Sequence, residues 1–128
     1  MRYAIFCYDS EAEVCAWSKE KDDQVMQQLG AVTAKLAEKK QLGPVARLAP
    51  TTKARTVRKG GAPVIMDGPF AETKEQLLGF YVVDCESMDA AIEVAKELAR
   101  ASGSAGAFEI RPMQYFDPGA GGYTPGAA

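Results

Sequence analysis

Four charged side chains, Asp67, Glu72, Lys74 and Glu75, fall close together in the stretch Asp67-Gly68-Pro69-Phe70-Ala71-Glu72-Thr73-Lys74-Glu75-Gln76. Three of them, Asp67, Glu72 and Lys74, are the candidates to move a proton or hold an anion. A partly buried carboxylate binds its proton more tightly and can act as acid or base. Asp67 and Glu72 are therefore the candidate proton acceptors, and Lys74 the candidate anion holder. Farther along, Glu109 and Arg111 are two residues apart on one strand face. Arg111 offers a planar fork to a carboxylate-bearing ligand, with Glu109 orienting it. Tyr81 completes the set on a strand where Gly79 leaves room for a ligand, a side chain or a backbone.

Each candidate also has a purely structural reading. Asp67-Gly68-Pro69 is first a turn, with Asp67 capping local N–H groups. Glu72, Lys74 and Glu75 make a charged run of the kind that usually faces solvent. Glu109 and Arg111 can satisfy one another, and Tyr81 can be a core ring.

The chain of 128 residues contains no histidine. That absence removes the side chain most used for proton transfer near neutral pH, Ser-His and Cys-His nucleophile systems, and the commonest transition-metal ligand. Catalysis here must use carboxylates, Lys, Tyr, Cys or water, and no metal or cofactor is expected. Three cysteines, Cys7, Cys15 and Cys85, have no paired spacing, which predicts reduced thiols. A net charge of −2 argues against nucleic-acid binding. No apolar run has the length of a membrane span, and the first residues enter a strand without a signal-peptide pattern. The expectation is a single cytoplasmic domain.

These side chains need elements to position them. Tyr3 to Tyr8 reads as a strand buried on both faces. Ser10-Glu11-Ala12-Glu13 has capping-box spacing for one short turn, and Trp17 after it reads as a lid-like packing residue, with a ligand platform as the alternative. Asp22 to Lys40 is a helix with Val25, Leu29, Val32 and Leu36 inward, stopped by Gly43-Pro44. Val45 to Leu48 is a short strand. Thr56-Val57-Arg58 and Val64-Ile65-Met66 flank Gly60-Gly61 as a hairpin. Thr73 and Gln76 have the spacing of a further helical turn. Leu77 to Asp84 is a second strand apolar on both faces. Ser87 caps a helix with Ala91, Val94, Ala95 and Leu98 inward, and Ala107 to Met113 is the last strand. Residues 117–128 are a Gly, Pro and Ala tail.

The order β-α-β, hairpin, β-α-β fits an α+β, ferredoxin-like split βαβ unit with an added hairpin. Its two central strands are apolar on the face that its helices cannot reach. The cheapest cover is the same face of a second copy, so a homodimer through the sheet face is expected.

The stretch from Asp67 to Gln76, with Gly79-Phe80-Tyr81, resembles the signature of the YCII-related proteins of the DGPF-domain type. Thr56-Val57-Arg58, Asp89-Ala90-Ala91-Ile92 and Glu109-Ile110-Arg111-Pro112 extend the resemblance over residues 1–116. It implies a bacterial protein with a dimeric α+β barrel, a ferredoxin-like unit paired sheet to sheet, in a superfamily that includes isomerases and dehydrochlorinases. The His-Asp pair proposed as an active site in related proteins cannot be carried over to a chain without histidine. Some family members are encoded beside extracytoplasmic-function sigma factors, which implies a regulatory or interaction role as the alternative. The leading expectation is a small anionic organic ligand near the DGPF turn and metal-independent acid–base chemistry.

Overall fold

The computed structural model describes residues 1–119; the rest of the tail, Tyr123 included, lies outside the described residues. The apolar run at the start forms β1 (Arg2–Asp9). A short helix α1 (Glu11–Cys15) follows, and the Ser10 hydroxyl caps it by accepting from the Glu13 N–H at 3.3 Å. The long helix α2 (Lys19–Glu38) begins three residues before the expected Asp22, because Ser18 caps it through the Lys21 N–H.

Lys40, at φ 58°, ends α2. Gln41 N–H donates to Leu36 C=O at 2.8 Å and Lys40 N–H to Ala37 C=O at 3.0 Å, which is the Schellman pattern with lysine in the position glycine usually takes. Gly43-Pro44, expected to stop the helix, instead lies inside β2 (Leu42–Arg47). An edge strand with an irregular register between Leu42 and Val45 accommodates that proline.

A 3-10 turn (Thr51–Lys53) leads into β3 (Arg55–Arg58) and β4 (Val64–Asp67), which pair only with each other. Then come β5 (Gln76–Asp84), helix α3 (Met88–Ala101) capped by Ser87, and β6 (Ala107–Pro112). The main sheet has the order β2-β5-β1-β6, and every neighbouring pair is antiparallel. This is the α+β, ferredoxin-like split βαβ unit with an added hairpin, and β1 and β5 hold the centre.

The helices pack on one face of the sheet. Tyr3 and Ile5 of β1 and Val83 of β5 meet Val32 and Leu36 of α2 and Ala91, Ala95 and Leu98 of α3. Phe108, Ile110 and Tyr81 pack against the same cluster. Strand alternation and register put Ala4, Phe6, Phe80, Val82, Glu109 and Arg111 on the other face.

Gly79 is the tightest point in the sheet. A Cβ there would stand 2.3 Å from the Ala46 carbonyl oxygen. Of the three occupants the sequence allowed, it is the β2 backbone that fills the space. Gly79→Ala must push β2 off β5, and a loss of about 2 kcal/mol or more is expected in urea denaturation. Lys40→Gly relieves a left-handed residue with a β-carbon and is expected to raise stability by about 1 kcal/mol in the same measurement.

Candidate functional site

β1 and β5 change register between Cys7 and Tyr8: Cys7 pairs with Gly79, but Tyr8 pairs with Leu77. Leu78 is therefore an extra residue on β5, and such a bulge locally bends and twists the strand that carries it. Beside it, between α2 and the sheet, lies a cavity of about 120 Å³. Its walls are largely apolar: Val14 and Trp17 from the α1 segment, Val25 and Leu29 from α2, Leu78 from the bulge and Phe108 from β6.

Four polar residues of the sheet line this cavity, Cys7, Asp9, Arg47 and Tyr81, and Ser102 and Ser104 after α3 join them. Asp9 is 5% exposed and is the buried charged residue of the described chain. Its Oδ1 accepts from the Ser10 N–H at 2.8 Å, and among the described residues no protein group donates to Oδ2. The chain entering β6 closes tightly over this corner. A Cβ at Gly106 would stand 1.9 Å from the Tyr8 carbonyl oxygen and 2.8 Å from Asp9 Cγ.

Burial pushes the Cys7 thiol up from its ordinary 9.0 to about 11, and the Asp9 charge adds to the rise. Burial also raises the Tyr81 phenol, with a smaller contribution from Cys7. Both groups are thus neutral near pH 7. The Tyr81 ring leans on Phe108, with centroids 6.3 Å apart. At the cavity rim Arg47 reaches α2 and donates to both carboxylate oxygens of Asp22, at 2.9 and 3.4 Å. Those bonds hold the Asp22 carboxyl below its usual range and raise Arg47.

A clasp holds α1 against this site. Gln76 Oε1 accepts from the Glu11 N–H at 3.0 Å, and the Glu11 carboxylate accepts from the Thr51 N–H and, at 2.6 Å, from the Thr51 hydroxyl. Gln76 Nε2 donates to the Thr73 carbonyl at 2.6 Å. The helical turn expected from Thr73 and Gln76 does not form. The Thr73 hydroxyl donates to the Glu75 carbonyl, so both capping side chains satisfy loop carbonyls and leave no helix to cap.

The six residues singled out in the sequence are not brought together within the protomer. Asp67 has a 91% exposed side chain and pairs with Arg55 Nε at 3.1 Å. Glu72 and Lys74 are exposed on the loop before β5. Glu109 and Arg111 are exposed on the sheet face away from the helices. Tyr81 alone of the six lines the cavity. The turn itself is stitched to β3. Gly68, at φ 89°, donates to the Ala54 carbonyl at 2.8 Å and accepts from the Thr56 hydroxyl at 2.9 Å. Sequence reasoning missed Asp9, which lies one residue past the strand expected over Tyr3 to Tyr8. The available signal was alternation: Asp9 shares a strand face with Ile5 and Cys7.

The model of the YCII-related domain family matches residues 1–117. The chain belongs to the YCII-related family. An uncharacterised protein of Rhizobium meliloti (strain 1021) is 53% identical over 120 residues, which span 93% of this chain and 97% of that one. Among solved structures, 5-chloro-2-hydroxyhydroquinone dehydrochlorinase from Burkholderia phenoliruptrix AC1100, in complex with 2,5-dihydroxybenzoquinone, is similar. The match has a TM-score of 0.50 and 15% identity, and covers 91% of this chain and 96% of that one. At that identity the likeness concerns the fold. No helix among the described residues of this YCII-related chain is long and apolar enough to cross a membrane.

The three thiols differ in their surroundings: Cys15 is exposed, Cys7 half-buried and Cys85 buried. Iodoacetamide at pH 8 is expected to label Cys15 first by mass spectrometry, with Cys7 and Cys85 following only under denaturant. The raised Cys7 value also sets a pH window. The neutral thiol is favoured in the fold, so its contribution is full below about pH 9 and is lost as pH rises through about 11. Between those limits the wild type is expected to lose more stability than Cys7→Ala in urea melts at stepped pH.

Proposed function

We propose that this YCII-related protein binds a small organic molecule, one ring in size, in the cavity between α2 and the sheet, with Asp9 as its proton acceptor. The reading rests on one observation: a carboxylate buried to 5% exposure lines a largely apolar cavity, and among the described residues one of its oxygens receives no protein donor. Burying a charge is costly unless its hydrogen-bonding capacity is used, so a carboxylate with an oxygen left open against a cavity is the group there best placed to meet a ligand. The volume of about 120 Å³ approaches that of a cavity that admits benzene, about 150 Å³. The benzoquinone bound by the structural relative is a single ring too. Tyr81 and Cys7, both neutral, supply donors to the ligand's other side.

The second part of the proposal is a homodimer joined through the open sheet face. Phe6 and Phe80 lie half-exposed there, next to the buried Ala4 and Val82, and no charged residue of β1 or β5 interrupts the four. Two such faces stacked across a twofold axis bury one another. The anionic ligand expected near the DGPF turn, held by Lys74 or Arg111 and deprotonated by Asp67 or Glu72, would need such a second chain to enclose it.

A thermal-shift screen of small ring compounds tests the cavity. A compound at about 100 times its dissociation constant adds roughly 2.7 kcal/mol to the folded state, a rise of several degrees for a domain of this size. Hits are expected with wild type and are expected to vanish in the cavity-filling Val14→Phe variant. Hits that survive Val14→Phe unchanged would place the ligand elsewhere. For the dimer, sedimentation at micromolar concentration is expected to give twice the chain mass for wild type and the chain mass for Phe80→Asp. A monomeric wild type would overturn it.

A further inference from the structure

The charged residues lining the cavity are few. They are Asp9, Asp22 and Arg47. Asp22 occupies Arg47 through two hydrogen bonds, so the cation at the rim is already engaged. The uncharged polar residues that line it are Cys7, Tyr81, Ser102 and Ser104, and the remaining walls are apolar. An anionic ligand would bring a second negative charge beside Asp9 into a poorly solvated space, and like charges there disfavour one another. An ammonium would match the sign of Asp9 but would lose its hydration between largely apolar walls. A hydroxyl brings a single donor to Asp9 Oδ2 and makes a charge-assisted hydrogen bond.

We infer, resting on the cavity reading above, that the natural ligand is an uncharged ring compound carrying a hydroxyl group, which donates to Asp9, and is neither an organic acid nor an amine. Asp9 is the specificity-determining residue of the cavity: it selects for a donor and repels an anion. Cys7, Tyr81, Ser102 and Ser104 make up the uncharged polar lining and can meet a second oxygen on the ring.

Four probes of nearly equal size separate the alternatives: phenol, toluene, benzoate and benzylamine. Each is titrated into the full chain at pH 7 and followed by ¹H–¹⁵N NMR at residues that line the cavity, such as Val25, Tyr81 and Phe108. Phenol is expected to bind at least about tenfold more tightly than toluene, a gap of about 1.4 kcal/mol, and benzoate is expected to move none of these signals. In Asp9→Asn, checked for fold by its own spectrum, the preference for phenol over toluene is expected to shrink to within about threefold. The wild-type comparison stands without the variant if Asp9→Asn does not fold. Equal binding of phenol and toluene overturns the hydroxyl inference and leaves the cavity reading intact. Tighter binding of benzoate or benzylamine than of phenol overturns it as well, in favour of an acid or an amine. No response from any probe at cavity residues overturns the cavity reading, and this inference with it.

Discussion

The pairing of β1 with β5 is the constraint on which the rest of the structure depends. It joins the first strand of the chain to one seventy residues later, from Arg2 with Asp84 to Asp9 with Gln76. Both strands are apolar on both faces, so neither can lie at a sheet edge or face water. That requirement places β2 and β6 outside them and sends both helices to one face. It leaves Phe6 and Phe80 half-exposed on the other, where alternation with the fully buried Ile5 and Val83 must put them. Truncating Ile5 would strike this pair directly, at a cost on the order of 2–5 kcal/mol.

The same pairing makes the cavity. With a regular register, Leu78 would have a partner on β1. The bulge leaves it over, bends β5 and sets it against the cavity wall. Gly79, next in the chain, lets β2 close against β5 at the point where the bulge would otherwise spread them. Gly106 does the same for the chain entering β6, and so seals the corner over Asp9. Two glycines without side chains are thus what allow a carboxylate to be buried beside a bulge.

Much of the fold was legible in the sequence, because the signals are local. Apolar periodicity gave both long helices, unbroken apolar runs gave the two central strands, and Ser10 and Ser87 announced their helix starts. The boundaries failed where a local rule had a competitor. Gly43-Pro44 looked like a helix stop, but a bulged edge strand tolerates the same pair, and Lys40 took the left-handed position. The cavity was hardly legible. Asp9, Asp22, Arg47, Tyr81 and Phe108 come from five elements, and only the sheet register and the packing of α2 bring them together. A motif search is drawn instead to the charged residues of the signature, at the end of β4 and in the loop after it.

That cluster has a structural task that explains its residue types without assigning it chemistry. Asp67 pairs with Arg55, Gly68 exchanges hydrogen bonds with Ala54 and Thr56, and the Phe70 ring lies 5.4 Å under the Arg58 guanidinium. The first half of the signature therefore fastens the hairpin to itself. The second half faces the other way: Thr73 and Gln76 fix the loop and offer the amide oxygen that receives Glu11. Glu11 in turn grips Thr51, and α1 carries Val14 to the cavity, with Trp17 just past its end. An isolated two-stranded hairpin is marginal in water, and a five-residue helix is far below the length that holds by itself. Each is held here by bonds to the signature loop, so the loop transmits order from the hairpin to the cavity wall. In this fold the Asp67–Gln76 part of the signature lies outside the cavity, while its Gly79-Phe80-Tyr81 part lines it.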